Sequence, residues 1–171
     1  MSVPEISTKE MMENLTDEQK AMLAAQKERF MAKHGMTSEE FDKYVSFPCN
    51  LKLMLAGDVM FKYRIVAEAI ESKFCGAGIK VGDRFIFQVV PNMFLPEEST
   101  APCCIKALGP LADHMHGIWE RLFEHLEPND GMTVCVPCMD NGLDYGGLGH
   151  VVFRLFCEEI PEDQRKMPGQ K

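Results

Sequence analysis

Seven cysteines stand at positions 49, 75, 103, 104, 135, 138 and 157 of a 171-residue chain. Cys135-Val136-Pro137-Cys138 is the one Cys-x-x-Cys, which supplies half of a tetrahedral thiolate site for zinc or an iron–sulfur cluster. The other half would have to come from Cys75 with Cys103 or Cys104, if the fold brings a glycine turn and a helix start together. Residues three apart on an extended strand face opposite ways, so both thiols of the pair reach one metal only where Pro137 begins a turn. The competing reading is that several of the thiols are small buried hydrophobes. An odd cysteine count argues against a closed disulfide framework. No βαβ context makes the pair thioredoxin-like.

Two other stretches carry chemistry. Asp140-Asn141-Gly142-Leu143-Asp144-Tyr145-Gly146-Gly147-Leu148-Gly149-His150 puts Asp140, Asp144, Tyr145 and His150 within a loop of four glycines. Acid, base and hydrogen-bonding groups on a loop suit general acid–base work, and these four are the candidate catalytic residues. A strand follows the loop and no Gly-Lys-Ser/Thr occurs in it, which excludes a phosphate loop. A plain hairpin connection is the alternative. His114 and His116 look like a chelating pair, but on a helix neighbours two apart lie about 200° round the axis, so one metal cannot hold both.

The elements that must position these groups follow from periodicity. Phe61, Tyr63, Ile65, Ala67 and Ala69 alternate with Lys62, Arg64 and Glu68, the period of a half-buried strand, although Phe61, Ile65 and Ala69 also fit a helix. Cys75-Gly76-Ala77-Gly78 and Gly82-Asp83 then make bends before Phe85, Phe87 and Val89 alternate again, giving a hairpin-like unit with a wide glycine turn. Before it, Thr16-Asp17-Glu18-Gln19 and Thr37-Ser38-Glu39-Glu40 read as capping boxes, with Leu15 as a staple and Gly35 as the first helix's stop. Pro48 ends the second helix, and Leu51, Leu53 and Leu55 read as a short strand. Residues 91–102, with three prolines, read as a loop. A strong helical pattern runs from Cys104 to Leu126 through Trp119, split in two by Gly109-Pro110. Residues 133–138 and 150–157 read as strands, the latter interior because Val151, Phe153, Leu155 and Cys157 lie on one side and Val152 and Phe156 on the other. The expected class is α+β: a small, mostly antiparallel sheet packed against one or two helices. Residues 1–48 form an N-terminal helical arm, 49–160 the core domain and 161–171 a flexible tail. An apolar pocket of Trp119, Phe85 and Phe153 beneath the 140–150 loop would suit a small organic ligand.

With Cys75, Lys80-Val81-Gly82-Asp83, Phe85, Ala107-Leu108 with Pro110, Trp119, Cys138-Met139-Asp140 and Val152-Phe153 in this order, residues 60–160 resemble a family of small uncharacterised prokaryotic proteins. That family's pattern is a strand, a Cys-x-x-Gly-x-Lys-Val-Gly-Asp-x-Phe turn and strand, a helix begun by Cys-Pro, a Trp, and Cys-Pro-Asp before a closing strand. Here Ala101-Pro102 followed by Cys103 and Cys104 replaces the Cys-Pro, and Met139 replaces the second proline. The resemblance implies a fold and no particular reaction.

A net charge of −8 disfavours nucleic acid or an anionic membrane surface as partner. The absence of a basic-then-apolar leader and of any eighteen-residue apolar run leads to the expectation of a cytoplasmic protein. Thirteen methionines beside seven cysteines, all readily oxidised, fit an oxygen-poor habitat. Three functions follow. The first is an accessory or small-ligand-binding module, a homo-oligomer or a subunit of a larger anaerobic enzyme docked through its N-terminal helices. The second is a small enzyme working through the 140–150 loop, and the third a thiolate metal protein.

Overall fold

The computed structural model describes residues 8–57, 59–131 and 135–165. They fall into two compact units that divide after Gly57.

The first unit is helical: α1 (Thr8–Glu13), α2 (Asp17–His34), α3 (Ser38–Val45) and α4 (Pro48–Ala56). Both capping boxes form as the sequence reads. The Thr16 hydroxyl accepts the Gln19 N–H at 3.2 Å while Gln19 accepts the Thr16 N–H at 2.9 Å. Glu40 accepts the Thr37 N–H at 2.8 Å, and these bonds hold its carboxyl below the usual range. Gly35 takes the left-handed conformation, φ 67°, that ends α2. Leu15, Leu23, Phe41, Val45, Leu51 and Met54 make this unit's own core, with Phe30 and Met31 packed against it. Leu23, Phe30 and Met31 of the apolar stripe of α2 therefore pack within residues 8–57, while Met22 stays exposed.

The expected strand through Leu51, Leu53 and Leu55 is a helix. Pro48 does not terminate a helix but opens α4 at its first position, where its missing N–H costs nothing. A short apolar run does not distinguish the two periods, and here Leu51 and Met54, three apart, are the pair that the core takes. The boundary expected at residue 48 accordingly lies at 57.

In the second unit, α5 (Val59–Lys62) is a single turn, so the strand expected from Phe61 begins two residues later as β1 (Tyr63–Lys73). With β2 (Arg84–Gln88), β3 (Met93–Phe94), β4 (Cys135–Pro137) and β5 (His150–Glu159) it forms an antiparallel sheet of order β3-β2-β1-β5-β4. The fold is α+β, as the sequence indicates. β3 lies in the stretch expected to be all loop; two residues paired to Phe87 and Gln88 are too short a run to show a period. Of the strand expected over 133–138, residues 133 and 134 lie outside the described residues. The tail's residues 166–171 do too.

Register sets the core face. Phe87 pairs with Ile65 and Ile65 with Cys157; Phe85 with Ala67 and Ala67 with Leu155; Ala69 with Phe153 and Phe153 with Val136. All nine side chains are buried. The opposite face has Val66 and Ile86 fully covered among charged neighbours: Arg64 and Arg84 both pair with Glu158, and Glu68 stands between Arg84 and Arg154. Burial pushes the Glu158 carboxyl up, but the bonds from Arg84 and Arg64 outweigh it and hold the group below its usual range.

α6 (Ile105–Phe123) lays Ala107, Leu111, Met115, Ile118 and Leu122 on the core. It is one helix, not two. Pro110 sits in its second turn, and the carbonyl its missing N–H would have bonded, that of Lys106, instead accepts the Met139 N–H at 2.8 Å. The Lys106 carbonyl that the proline leaves free thus becomes the attachment point for the segment after β4. Within the same helix Gly117 is exposed, and a Cβ there would meet nothing within 4 Å. Gly117→Ala should stabilise this unit by about 0.5–1 kcal/mol in urea unfolding followed by the lone tryptophan, Trp119.

Candidate functional site

Three chain segments meet at one end of the sheet: the turn after β1, the start of α6, and the loop between β4 and β5. Between them lies a cavity of about 320 Å³ lined by Cys75, Gly76, Ala77, Cys104, Lys106, Cys138, Asp140, Leu148, Gly149, His150 and Val151.

The loop is held in place by Asp140. Its Oδ1 accepts backbone N–H groups from Gly142 at 3.1 Å, Leu148 at 2.9 Å and Gly149 at 3.3 Å, and its Oδ2 accepts from Lys106 Nζ at 3.1 Å. The bonds from Lys106 and then Gly142, with a lesser share from Leu148, hold its carboxyl below the usual carboxylate range against the opposing effect of burial. A carboxylate so engaged organises a loop and is not free to shuttle protons. Because its folded pKa is depressed, the stability it contributes is fully present above the unfolded value of about 3.9 and is lost as pH falls through the lower folded value. We predict that Asp140→Asn lowers the melting temperature at neutral pH. The gap between mutant and wild type should close below about pH 4, a profile measurable by thermal denaturation.

Gly147 and Gly149 are required by close approach. A Cβ on Gly147 would lie 2.2 Å from Asp140 Oδ1, and one on Gly149 would lie 2.2 Å from the Lys73 carbonyl oxygen and 2.4 Å from that of Phe74. The loop's return is pressed directly against the end of β1.

The sulfurs arrive by separate routes. Val136 pairs with core residue Phe153, which puts Cys135 on the opposite, exposed side and returns Cys138 to the helix-bearing face. The Cys138 N–H donates to the Val151 carbonyl at 2.8 Å and its sulfur accepts the Val151 N–H at 3.3 Å. Cys104 is the N-cap of α6, with no side-chain capping bond. Cys75 follows β1, and its carbonyl accepts the Gly78 N–H at 3.0 Å. Cys75, Cys104 and Cys138 are half-buried; Cys49, Cys103 and Cys135 are exposed. Cys157 is buried in the core, where desolvation and then the Glu127 charge push its thiol up to about 12 and leave it inert.

Of the five cysteines considered as metal ligands, the fold thus brings Cys75, Cys104 and Cys138 to one cavity and leaves Cys103 and Cys135 outside it. Among the described residues no group of three or more His, Cys, Asp or Glu side chains is arranged to hold a metal ion. The thiols fit neither a zinc nor an iron–sulfur cage in this conformation. Of the loop residues considered catalytic, Asp140 and His150 line the cavity, and His150 Nε2 is 2.8 Å from Glu71 Oε1. Asp144 and Tyr145 lie on an exposed 3₁₀ turn, Leu143–Tyr145. Phe85 and Phe153 are fully buried with ring centres 5.5 Å apart, and Trp119 is half-buried beside His116 at 5.2 Å. None of the three lines the cavity: Phe85 and Phe153 belong to the core, and Trp119 is carried on α6 outside it. His114 and His116 are also apart in role, since His114 Nδ1 bonds the Pro110 carbonyl at 2.8 Å.

Lys106 and Glu71 were not singled out from sequence. Lys106 had a signal: a cation in the first turn of a helix opposes the dipole and calls for an anionic partner, which Asp140 supplies. Glu71 had none, because its position opposite the start of β5 depends on a bulge between Ala69 and Glu71.

No described helix is long and apolar enough to cross a membrane. Comparison with protein-family models, with curated proteins and with solved structures found no match to this chain.

Proposed function

We propose that residues 59–165 form a small-ligand-binding α+β module and that the thiol-lined cavity is its binding site. The observation that supports this is the convergence of Cys75, Cys104 and Cys138 with Lys106 and His150 on one cavity, from three separate parts of the chain. At about 320 Å³ it falls within the range of small-molecule sites, and its lining is mostly apolar and sulfur with a few polar groups. Such a lining suits a small organic molecule with a soft or apolar body and a hydrogen-bond acceptor turned towards Lys106 and His150. On this reading, the part of the chain that resembles the small prokaryotic proteins is the ligand-binding module. The helical unit of residues 8–57 serves assembly, with a second copy or a larger enzyme.

A fragment library screened by amide-resolved NMR on the reduced, full-length protein tests this. Shifts should concentrate on Cys75 to Ala77, Lys106 and Leu148 to Val151. Hits scattered over the surface, or concentrated on residues 8–57, would contradict it.

A further inference from the structure

The inference rests on the ligand-site reading and gives that site a reaction. The bond from the Met139 N–H to the Lys106 carbonyl lashes the chain after β4 to the first turn of α6. Cys138 is the residue before Met139, and Cys104 is two residues before Lys106. One hydrogen bond, to a carbonyl that Pro110 leaves free, therefore ties together the two segments that bring these thiols to the same cavity. They differ in their surroundings. The Cys138 sulfur is tied to the Val151 N–H. Cys104 sits at the positive end of a nineteen-residue helix and makes no side-chain capping bond.

From this we infer that Cys104 and Cys138 are a nucleophile and resolving pair that reduces low-molecular-weight disulfides entering the cavity. Cys104, as thiolate, attacks one sulfur of R–S–S–R; the S–S bond breaks, a Cys104–S–S–R bond forms, and the departing RS⁻ takes the proton that Cys104 gave up. Cys138, deprotonated in turn, attacks the Cys104 sulfur of that mixed disulfide and expels the second RS⁻, which is protonated likewise. In sum one protein dithiol and one small disulfide give one Cys104–Cys138 disulfide and two thiols. The protein is oxidised by two electrons and the ligand reduced by two. Cys135, the other half of the Cys-x-x-Cys, is exposed and does not line the cavity, so it takes no part.

The test uses full-length protein carrying Cys49→Ser, Cys103→Ser and Cys135→Ser, three exposed positions, reduced and then given one equivalent of bis(2-hydroxyethyl) disulfide. The expected products are two equivalents of 2-mercaptoethanol and, by peptide mass spectrometry, a Cys104–Cys138 link. Adding Cys138→Ser should trap the adduct on Cys104 and halve the thiol released, with Trp119 emission reporting that the fold is kept. A stable adduct on Cys104 with Cys138 present, a link to Cys75 instead, or no reaction would each overturn the inference. Should fragments bind the cavity while no link forms, the redox chemistry alone is overturned and the ligand site stands.

Discussion

Gly149→Ala is expected to destabilise the sheet unit by about 3 kcal/mol or more, seen as a large fall in the urea midpoint of Trp119 emission. The added Cβ would lie 2.2 Å and 2.4 Å from two backbone carbonyl oxygens, of Lys73 and Phe74. Had the obstacle been the tip of a flexible side chain, a rotamer change would relieve it. A carbonyl at the end of β1 moves only if the β1–β5 pairing near Lys73 and His150 opens. Opening it also pulls the Leu148 and Gly149 amides from Asp140 and removes one wall of the cavity, so a fragment that binds the wild type should lose binding as well. Gly146 provides the contrast. It has φ 78° but nothing within 4 Å of an added Cβ. Gly146→Ala should cost only the left-handed conformation, about 1 kcal/mol. Equal losses for the two variants would show that the close contact is not what positions the loop.

Phe153→Ala should cost about 3–5 kcal/mol by the same measurement. Phe153 is fully buried on β5, an interior strand, paired with Ala69 on one side and Val136 on the other, with its ring against Phe85. Both flanking residues are small or β-branched and fixed by strand pairing, so they cannot collapse into the space left. Phe153→Leu should recover most of the loss. If Phe153→Ala instead cost under about 1 kcal/mol, the ring would not be the core residue that register makes it.

Much of this architecture was legible in the sequence, and the reasons differ by element. β5 was readable because Val151, Phe153, Leu155 and Cys157 alternate over a run long enough to fix the period. The two capping boxes were readable because each is a local contact between residues three apart. Residues 48–56 were not readable, since three leucines at even spacing satisfy a strand while Leu51 and Met54 satisfy a helix, and only packing decides. Pro110 was misleading for a physical reason: a proline breaks a helix unless something donates to the orphaned carbonyl, and here the Met139 N–H, twenty-nine residues on, does so.

The site was legible in part. The sequence marked the 140–150 loop and the cysteines separately. It did not show that three of those thiols and four residues of that loop share a cavity, because the meeting depends on the β4–β5 register and on the Met139 attachment. It also assigned Asp140 to catalysis, whereas the loop's own amides and Lys106 use its oxygens. A glycine two residues after an aspartate is the signature of such a side-chain-capped turn, and it was present in Asp140-Asn141-Gly142.

Cys75, Cys104 and Cys138 open into one shared cavity. Isotope-coded alkylation of each cysteine in the folded, reduced protein, compared between wild type and Ala77→Trp, measures it directly, since a tryptophan at this lining position fills the space the three sulfurs share. The rates at Cys75, Cys104 and Cys138 should fall together, while those at Cys49, Cys103 and Cys135 stay unchanged and Cys157 remains protected in both. Slowing of Cys75 alone, with Cys104 and Cys138 reacting as before, would contradict it.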